Sequence, residues 1–414
     1  MKRQAFVLTL GVVLLSVVAG LGMLINAQGL GASAGVRRGH GSGVGNGLEG
    51  GTGRGLGRIP GTGNGVGTEN TVRAANGVGT GSSAGAGNGV GEGTGGGMGQ
   101  GTTVQAGDYR LSGPYTHKNL TIFLVHGKNV FEGKTFITLQ EAMTQKKVVV
   151  YETKTVNELS IENLSNEDIY VQAGEIVKGG QQDRMIGVDL IVPGKSGKMP
   201  ISAFCVEHGR WSGRGNERTT VFGSSSDSVS TKSIKLAAKR SNSQGDVWKS
   251  VTVAQDKLSQ NVGVRVNSAV SDSSLQLAVE NGKVQETADG YIKALSNIVN
   301  GSSDVIGYVF AINGKVNSAD VYGSSSLFKK LWPKLLKANA VEAIAELQTE
   351  KFAPAKTEQA KTFLSDSEKT RPTKRDVSKR VGLVTGEDEE NVFFETRDRD
   401  QKDAWVHRNY IKKN

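Results

Sequence analysis

Thirty glycines fall within the 74 residues from 28 to 101, with one proline, Pro60, and no aromatic residue. A segment so poor in side chains worth burying cannot offset the entropy of ordering its backbone, and it is expected to be disordered. Of the 414 residues, folding is thereby confined to about 300, from Asp108 onward, which is ample for a hydrophobic core.

The head of the chain has a different character. Lys2 and Arg3 precede an uncharged, mostly apolar run from Ala5 to Ile25. A basic start before an apolar run is the pattern of an export signal, yet this run is longer than the ~7–15 residues of a signal core and reaches the ~20 that span a bilayer. Ile25-Asn26-Ala27 is a fair match to a cleavage site. Residues 1–27 are read as a cleaved signal peptide or an uncleaved membrane anchor, with the length favouring the anchor. The basic start would stay in the cytoplasm and the rest would be exported. The expected location is the cytoplasmic membrane facing the periplasm or exterior, or secretion if the signal is cleaved. Residues 28–107 then form a flexible tether, whose 74 Gly-rich residues give a root-mean-square reach of about 45–50 Å. Cys205 is the only cysteine; no internal disulfide is possible, and a lipid on a cysteine beside the signal is excluded.

The formal net charge of +10 is diffuse. No run of Lys and Arg forms the single stripe that nucleic-acid binding needs, and no nucleic-acid partner is expected. The densest basic cluster, Arg371–Arg380, is followed by the acidic Glu387–Glu390 and reads as a solvated, mixed-charge connector. Oligomeric state is not readable.

Residues 108–222 read as β-rich. The runs at 120–125 and 147–153 are apolar and β-branched, 157–164 and 169–172 suit short strands, and 138–145 suits a short helix. The runs at 185–192 and 200–207 flank a Gly-containing loop and predict a hairpin. Several short strands at close spacing suggest a sandwich or partly closed barrel. Residues 224–233 read as a polar linker. Beyond it, helical spacing recurs at 244–260, 272–281 and 283–299, and again at 326–347 with a kink or restart near Pro333. Between these, 305–323 holds two strand-like runs around Asn313-Gly314, the dipeptide that suits a type I′ hairpin. Strands are expected at 391–396 and 404–411. The fold class is α+β: a β-rich half at 108–222, and an α/β half of the same domain at 223–414.

Five stretches follow one another: "GPYTHKNLTIFLV", "VNELSIEN", "VQAGEIVKGGQQDRMI", "PISAFCVEHGRW" and "YVFAINGKVNSADVYGS" with "LFKKLW" after it. Together they resemble the bacterial ARG and rhodanese-phosphatase-superfamily-associated protein domain, over roughly residues 108–411. The two middle stretches are the most specific. The family name records association with ADP-ribosylglycohydrolase and phosphatase proteins. The resemblance implies no catalytic residues to carry over, so candidates come from the residues themselves.

Gln181, Gln182, Asp183 and Arg184 follow Gly179-Gly180, where the backbone can turn sharply. Such a turn could present amides and a guanidinium fork to an anion, or Asp183 and Arg184 could brace the turn. Downstream, Glu207, His208, Arg210 and Trp211 form a second candidate group. Trp211 can stack on a ring, and Arg210, Arg214 and Arg218 in close company suit an anionic ligand. Cys205 could be a nucleophile only beside a base or cation; a lone cysteine in a strand is more often a small buried apolar residue. His117, His126, Glu175 and His208 would hold a metal only if folding gathered them; no metal and no cofactor is expected. Gly194-Lys195-Ser196 fails as a phosphate loop because position 189 is Asp where Gly is required. The leading expectation is an exported, membrane-tethered module binding a small ligand or protein partner. The alternative is an extracytoplasmic enzyme on an anionic, nucleotide-like, ADP-ribose-like or phosphorylated substrate, with Arg184 and Arg210 on the anion.

Overall fold

Asn313 and Gly314 both take positive φ, 52° and 75°, and join Val305–Ile312 to Lys315–Tyr322 with Ile312 opposite Lys315. This two-residue turn is the one the sequence predicts, and the hairpin it closes is the centre of the molecule. In the computed structural model the described residues are 104–106, 109–131, 133–229 and 231–414. The signal or anchor at 1–27, and the tether apart from residues 104–106, lie outside them.

Around the hairpin, nine strands form one antiparallel sheet. On one side come Leu120–His126, Tyr109–His117 and Val104–Ala106. On the other come Ala404–Lys412, Asn391–Asp398, Val381–Glu387 and Thr373–Asp376. The helix Ser325–Ala345 covers one face of the sheet, where Ile122, Leu124, Tyr308, Phe310 and Tyr322 pack with Phe328. The helix Thr357–Glu368 covers the other face, where Phe123, Val125, Val309 and Val321 pack with Phe363 and Leu364. Coverage on both faces explains why Leu120–His126 and Val305–Ile312 are buried at every residue and read as nearly continuous apolar runs. The long helix continues through Pro333.

A six-stranded sheet runs in the order Phe222–Val229, Glu175–Gly179, Arg184–Ile186, Gly197–Cys205, Glu158–Asn163, Val148–Thr155. A three-stranded sheet holds Leu190–Val192, Ile169–Val171 and Ile137–Thr138, the last pair parallel. The molecule is α+β, with a β-rich region over 109–222, helices after it, and C-terminal strands. The short helix Leu139–Thr144 begins at a capping box in which Thr138 and Glu141 satisfy each other's backbone N–H.

Three local expectations are corrected. The hairpin across 193–199 does not form, because the 185–192 run divides between two sheets. Arg184–Ile186 pairs with Gly197–Cys205, while Leu190–Val192 pairs with Ile169–Val171. The division falls where a Cβ on Gly187 would meet Ser202 and Phe204 and where the Asp189 carboxylate is buried, bonded to the Ala173 N–H. The polar stretch 224–233 is not a linker: its first part lies in the strand Phe222–Val229, paired with Glu175–Gly179, and its end starts the helix Lys232–Lys239. That strand crosses the 222/223 division between the two halves. The connector at 371–380 contains the exposed edge strand Thr373–Asp376. The early strands divide: Tyr109–His117 and Leu120–His126 join the sheet built by the second half, while the six-stranded sheet curls back on itself, Tyr151 bridging Val221 and the Glu152 N–H bonding the Thr220 carbonyl at 3.0 Å beside its far edge strand. Among the described residues, no helix is long and apolar enough to cross a membrane.

Candidate functional site

Gly179 and Gly180 have φ of 109° and 56°, and a Cβ on Gly180 would lie 2.4 Å from Phe222 and 2.9 Å from a Glu152 carboxylate oxygen. Only glycine fits there. The turn so made ends the strand Glu175–Gly179 and delivers Asp183 and Arg184 to opposite sides of the short strand Arg184–Ile186.

On one side Asp183 is wholly buried. Its carboxylate accepts bonds from the Gly179 N–H at 2.9 Å, from both terminal nitrogens of Arg214 at 3.0 Å, and from the Ser274 hydroxyl at 2.7 Å. Its own N–H donates to Glu207 at 2.9 Å, so the two candidate stretches meet directly. Glu207, also wholly buried, is clasped by Arg210 through Nε at 2.6 Å and Nη2 at 2.7 Å, and by the Ser271 hydroxyl. Arg210 further donates to the carbonyls of Gly179, Gly180 and Ser212, and Arg214 reaches Glu217 at 3.0 Å. Burial pushes the Glu207 carboxyl up, but the bonds from Arg210, Ser271 and the Asp183 backbone outweigh it and hold the group below its ordinary range.

On the other side Arg184, likewise inaccessible, donates to the carbonyls of Val156 and Thr155 and pairs with Glu152 at 3.3 Å. The Trp211 ring lies over its guanidinium, 5.8 Å from centroid to Cζ. Trp211 itself is 48% exposed. Counted together, Glu152, Asp183, Glu207 and Glu217 supply four negative charges against three positive from Arg184, Arg210 and Arg214. This is a network with one carboxylate in excess, not a cationic trap.

Folding thus gathers Asp183, Glu207 and Arg210 in one network and places Arg184 with Trp211 in a neighbouring one. Gln181 uses its backbone N–H to bond Glu152 at 3.2 Å. Gln182 is buried, and neither its amide nitrogen nor its amide oxygen meets a hydrogen-bonding protein atom. His208 stands exposed with its ring edge-on to Trp248, centroids 4.5 Å apart, and its backbone N–H is held by Ser273. Cys205 is fully buried, and burial is the largest cause pushing its thiol up to about 11, so it is no ready thiolate. The four residues weighed as metal ligands lie in separate places. His117 packs on Tyr291, His126 bonds Asp304, Glu175 pairs with Lys334, and His208 meets Trp248. Among the described residues no group of three or more ligating side chains is arranged to hold a metal ion.

The sequence does not reveal Glu152, Ser271 and Ser274 as parts of this network. Ser274 carries one local signal, since its hydroxyl caps the helix Leu275–Val279 at the Leu277 N–H. Its bond to Asp183, 91 positions away, has no local signal.

The family model of the ARG and Rhodanese-Phosphatase-superfamily-associated Protein domain matches residues 108–411. No curated protein and no solved structure matches the chain.

Proposed function

The chain belongs to the ARG and Rhodanese-Phosphatase-superfamily-associated Protein domain family, and we propose that it is an exported, membrane-tethered module that binds a ligand or partner through the loop 207–221, with no catalysis at that loop. The observation that carries this reading is the contrast between the inside and the outside of the loop. Inside, every carboxylate and guanidinium named above is occupied by another. Outside, Trp211 is 48% exposed on a loop whose backbone is held at Ser212 by Arg210 and at His208 by Ser273. A fixed aromatic surface binds at low entropic cost because little remains to be ordered. Its chemistry suits a ligand with a flat or ring face, such as a sugar ring, a nucleobase or an aromatic side chain. Export and tethering rest on the basic start, the apolar run and the Gly-rich stretch of residues 1–107. Against an enzyme acting on an anion through Arg184 and Arg210, both guanidiniums are already matched to Glu152 and Glu207.

The test is a thermal-shift screen of the full-length chain against nucleotides, ADP-ribose, sugar phosphates and peptidoglycan fragments, repeated with Trp211→Ala. A hit is expected to lose about 2 kcal/mol or more of affinity in the variant, roughly 30-fold in Kd. Turnover of the hit that depends on Glu207 or Asp183, or binding indifferent to Trp211, would overturn the proposal.

A further inference from the structure

Away from that loop, at one end of the large sheet, Ser112, His126 and Asp304 lie in line. The Ser112 hydroxyl oxygen is 2.7 Å from His126 Nε2, and His126 Nδ1 is 2.8 Å from Asp304 Oδ1. Nδ1 faces the Asp304 carboxylate at 2.8 Å, which only accepts, and Arg110 Nη2 at 3.0 Å, which only donates; the nearer, charged carboxylate draws the ring proton to Nδ1. Nε2 is then a lone-pair acceptor, and the Ser112 O–H must be the donor. From this arrangement of three side chains we propose a second site: a serine nucleophile with His126 as its general base and Asp304 as the residue that orients the base.

The backbone builds this line from rigid parts. His126 ends the strand Leu120–His126 and faces Arg110 on one neighbour and Val305 on the other. Asp304 immediately precedes Val305, and its carbonyl is fixed by the Gly127 N–H at 3.0 Å. Ser112 sits where the pairing of its strand shifts: it faces Leu124, and Tyr115, three residues on, faces Ile122. One extra residue therefore intrudes there. Such a bulge re-aims the side chains beside it, as bulges near active sites do. Arg110 donates to Asp304 Oδ2 at 2.7 Å, and Ser302 donates to Oδ1. Burial pushes the Asp304 carboxyl up, but bonds from His126, Ser302 and Arg110 outweigh it and keep the group well below the usual carboxylate range. The orienting group thus stays ionised while it holds the ring.

A cavity of about 740 Å³ opens against His126 and Asp304, with Tyr109, Ile306 and Trp405 among its walls. That size suits a small-molecule ligand. Ser112 is half-buried and is not itself a wall of the cavity; it adjoins the cavity through His126 and Arg110, which line it. Two of the cavity's cations are matched internally, Arg110 to Asp304 and Arg408 to Glu368. Lys128 is exposed and has no acidic partner among the described residues. The substrate class that fits is a carboxylic ester with an apolar portion and an acidic group for Lys128.

The reaction balances without any oxidant or metal. Ser112 Oγ bonds to the ester carbonyl carbon as its proton passes to His126 Nε2. The bond to the alcohol oxygen breaks, and that oxygen takes the proton from Nε2, leaving Ser112 acylated. Water then attacks the acyl carbon, giving its proton to Nε2, and Ser112 Oγ leaves and recovers that proton. The products are one carboxylic acid and one alcohol.

The full-length protein is treated with a fluorophosphonate, which phosphonylates an activated serine with loss of fluoride, and the adduct is mapped by peptide mass spectrometry. The expected result is a single adduct at Ser112, formed about 10²-fold or more slowly in His126→Gln, the scale of a lost general base. Asp304→Asn keeps the shape of the line and should also slow labelling. The melting temperature of each variant reports whether it folds. Absence of an adduct at Ser112 in the folded wild-type protein, or equal labelling in a folded His126→Gln variant, would overturn the proposal.

Discussion

A guanidinium between two buried carboxylates can be removed only by leaving charge behind. Arg214, 5% exposed at its side chain, is shared by Asp183, Glu207 and Glu217. Arg214→Ala is expected to cost about 3–5 kcal/mol, the scale of a broken buried pair, measured by urea unfolding. A loss below about 1 kcal/mol would mean that the network is solvated. The sign with pH follows from Glu207. Its carboxyl is held below the ordinary 4.5, so its contribution is fully present above that value and is lost as pH falls through the lower, folded value. Melting temperature should therefore fall on acidification below about 4.5, and less steeply in Glu207→Gln. Parallel acid limbs in the two proteins would contradict this. The residues of this network were legible as candidates because Asp183, Arg184, Glu207 and Arg210 sit beside glycines and an exposed Trp. Their partners were not, because Glu152 and Ser274 approach them only through the fold.

At the scale of elements, local chemistry was readable where the backbone itself demands a residue type. Asn313-Gly314 marks its hairpin by positive φ, and Thr138 with Glu141 marks the start of a helix. The strand Phe222–Val229 was hidden because its early serines mimic a linker. Its polarity is tolerated because Ser225 bonds Gln276 at 2.8 Å and its backbone pairs with Glu175–Gly179. The helix Thr357–Glu368 was hidden by the polar outer face around Phe363 and Leu364. Gly180 gives a test at this scale. A Cβ there meets Phe222 and Glu152 at a positive φ, whereas Gly197, also at positive φ, has nothing within 4 Å. Gly180→Ala should therefore cost about 1–3 kcal/mol more than Gly197→Ala, which carries only the backbone strain. Equal losses in chemical denaturation would show that the turn moves aside.

For the whole molecule, the decisive fact is that the sheet is shared. Leu120–His126 pairs with Val305–Ile312, and the C-terminal His407 lies between Asp189 at 2.7 Å and Asp320 at 3.0 Å. Burial disfavours charge on His407, yet the two carboxylates outweigh it and raise its pKa, so this buried bridge ties residues from three distant parts of the chain. A fragment of residues 108–222 is accordingly expected not to fold, because its longest apolar strand would lose its central partner and the cover of Ser325–Ala345. A cooperative thermal transition of that fragment, followed by circular dichroism, would disprove this. By itself the sequence determined the α+β class, the central hairpin and the choice of the two stretches around Asp183 and Glu207 as candidates. Those follow from composition, periodicity and backbone conformation, which act over a few residues. Only the tertiary structure decided which strands pair across the halves, that Arg210 and Arg214 at the loop are paired with buried carboxylates, and that Ser112, His126 and Asp304 align. Each of these depends on groups far apart in sequence, brought together by burial of a core whose pairing no local pattern encodes.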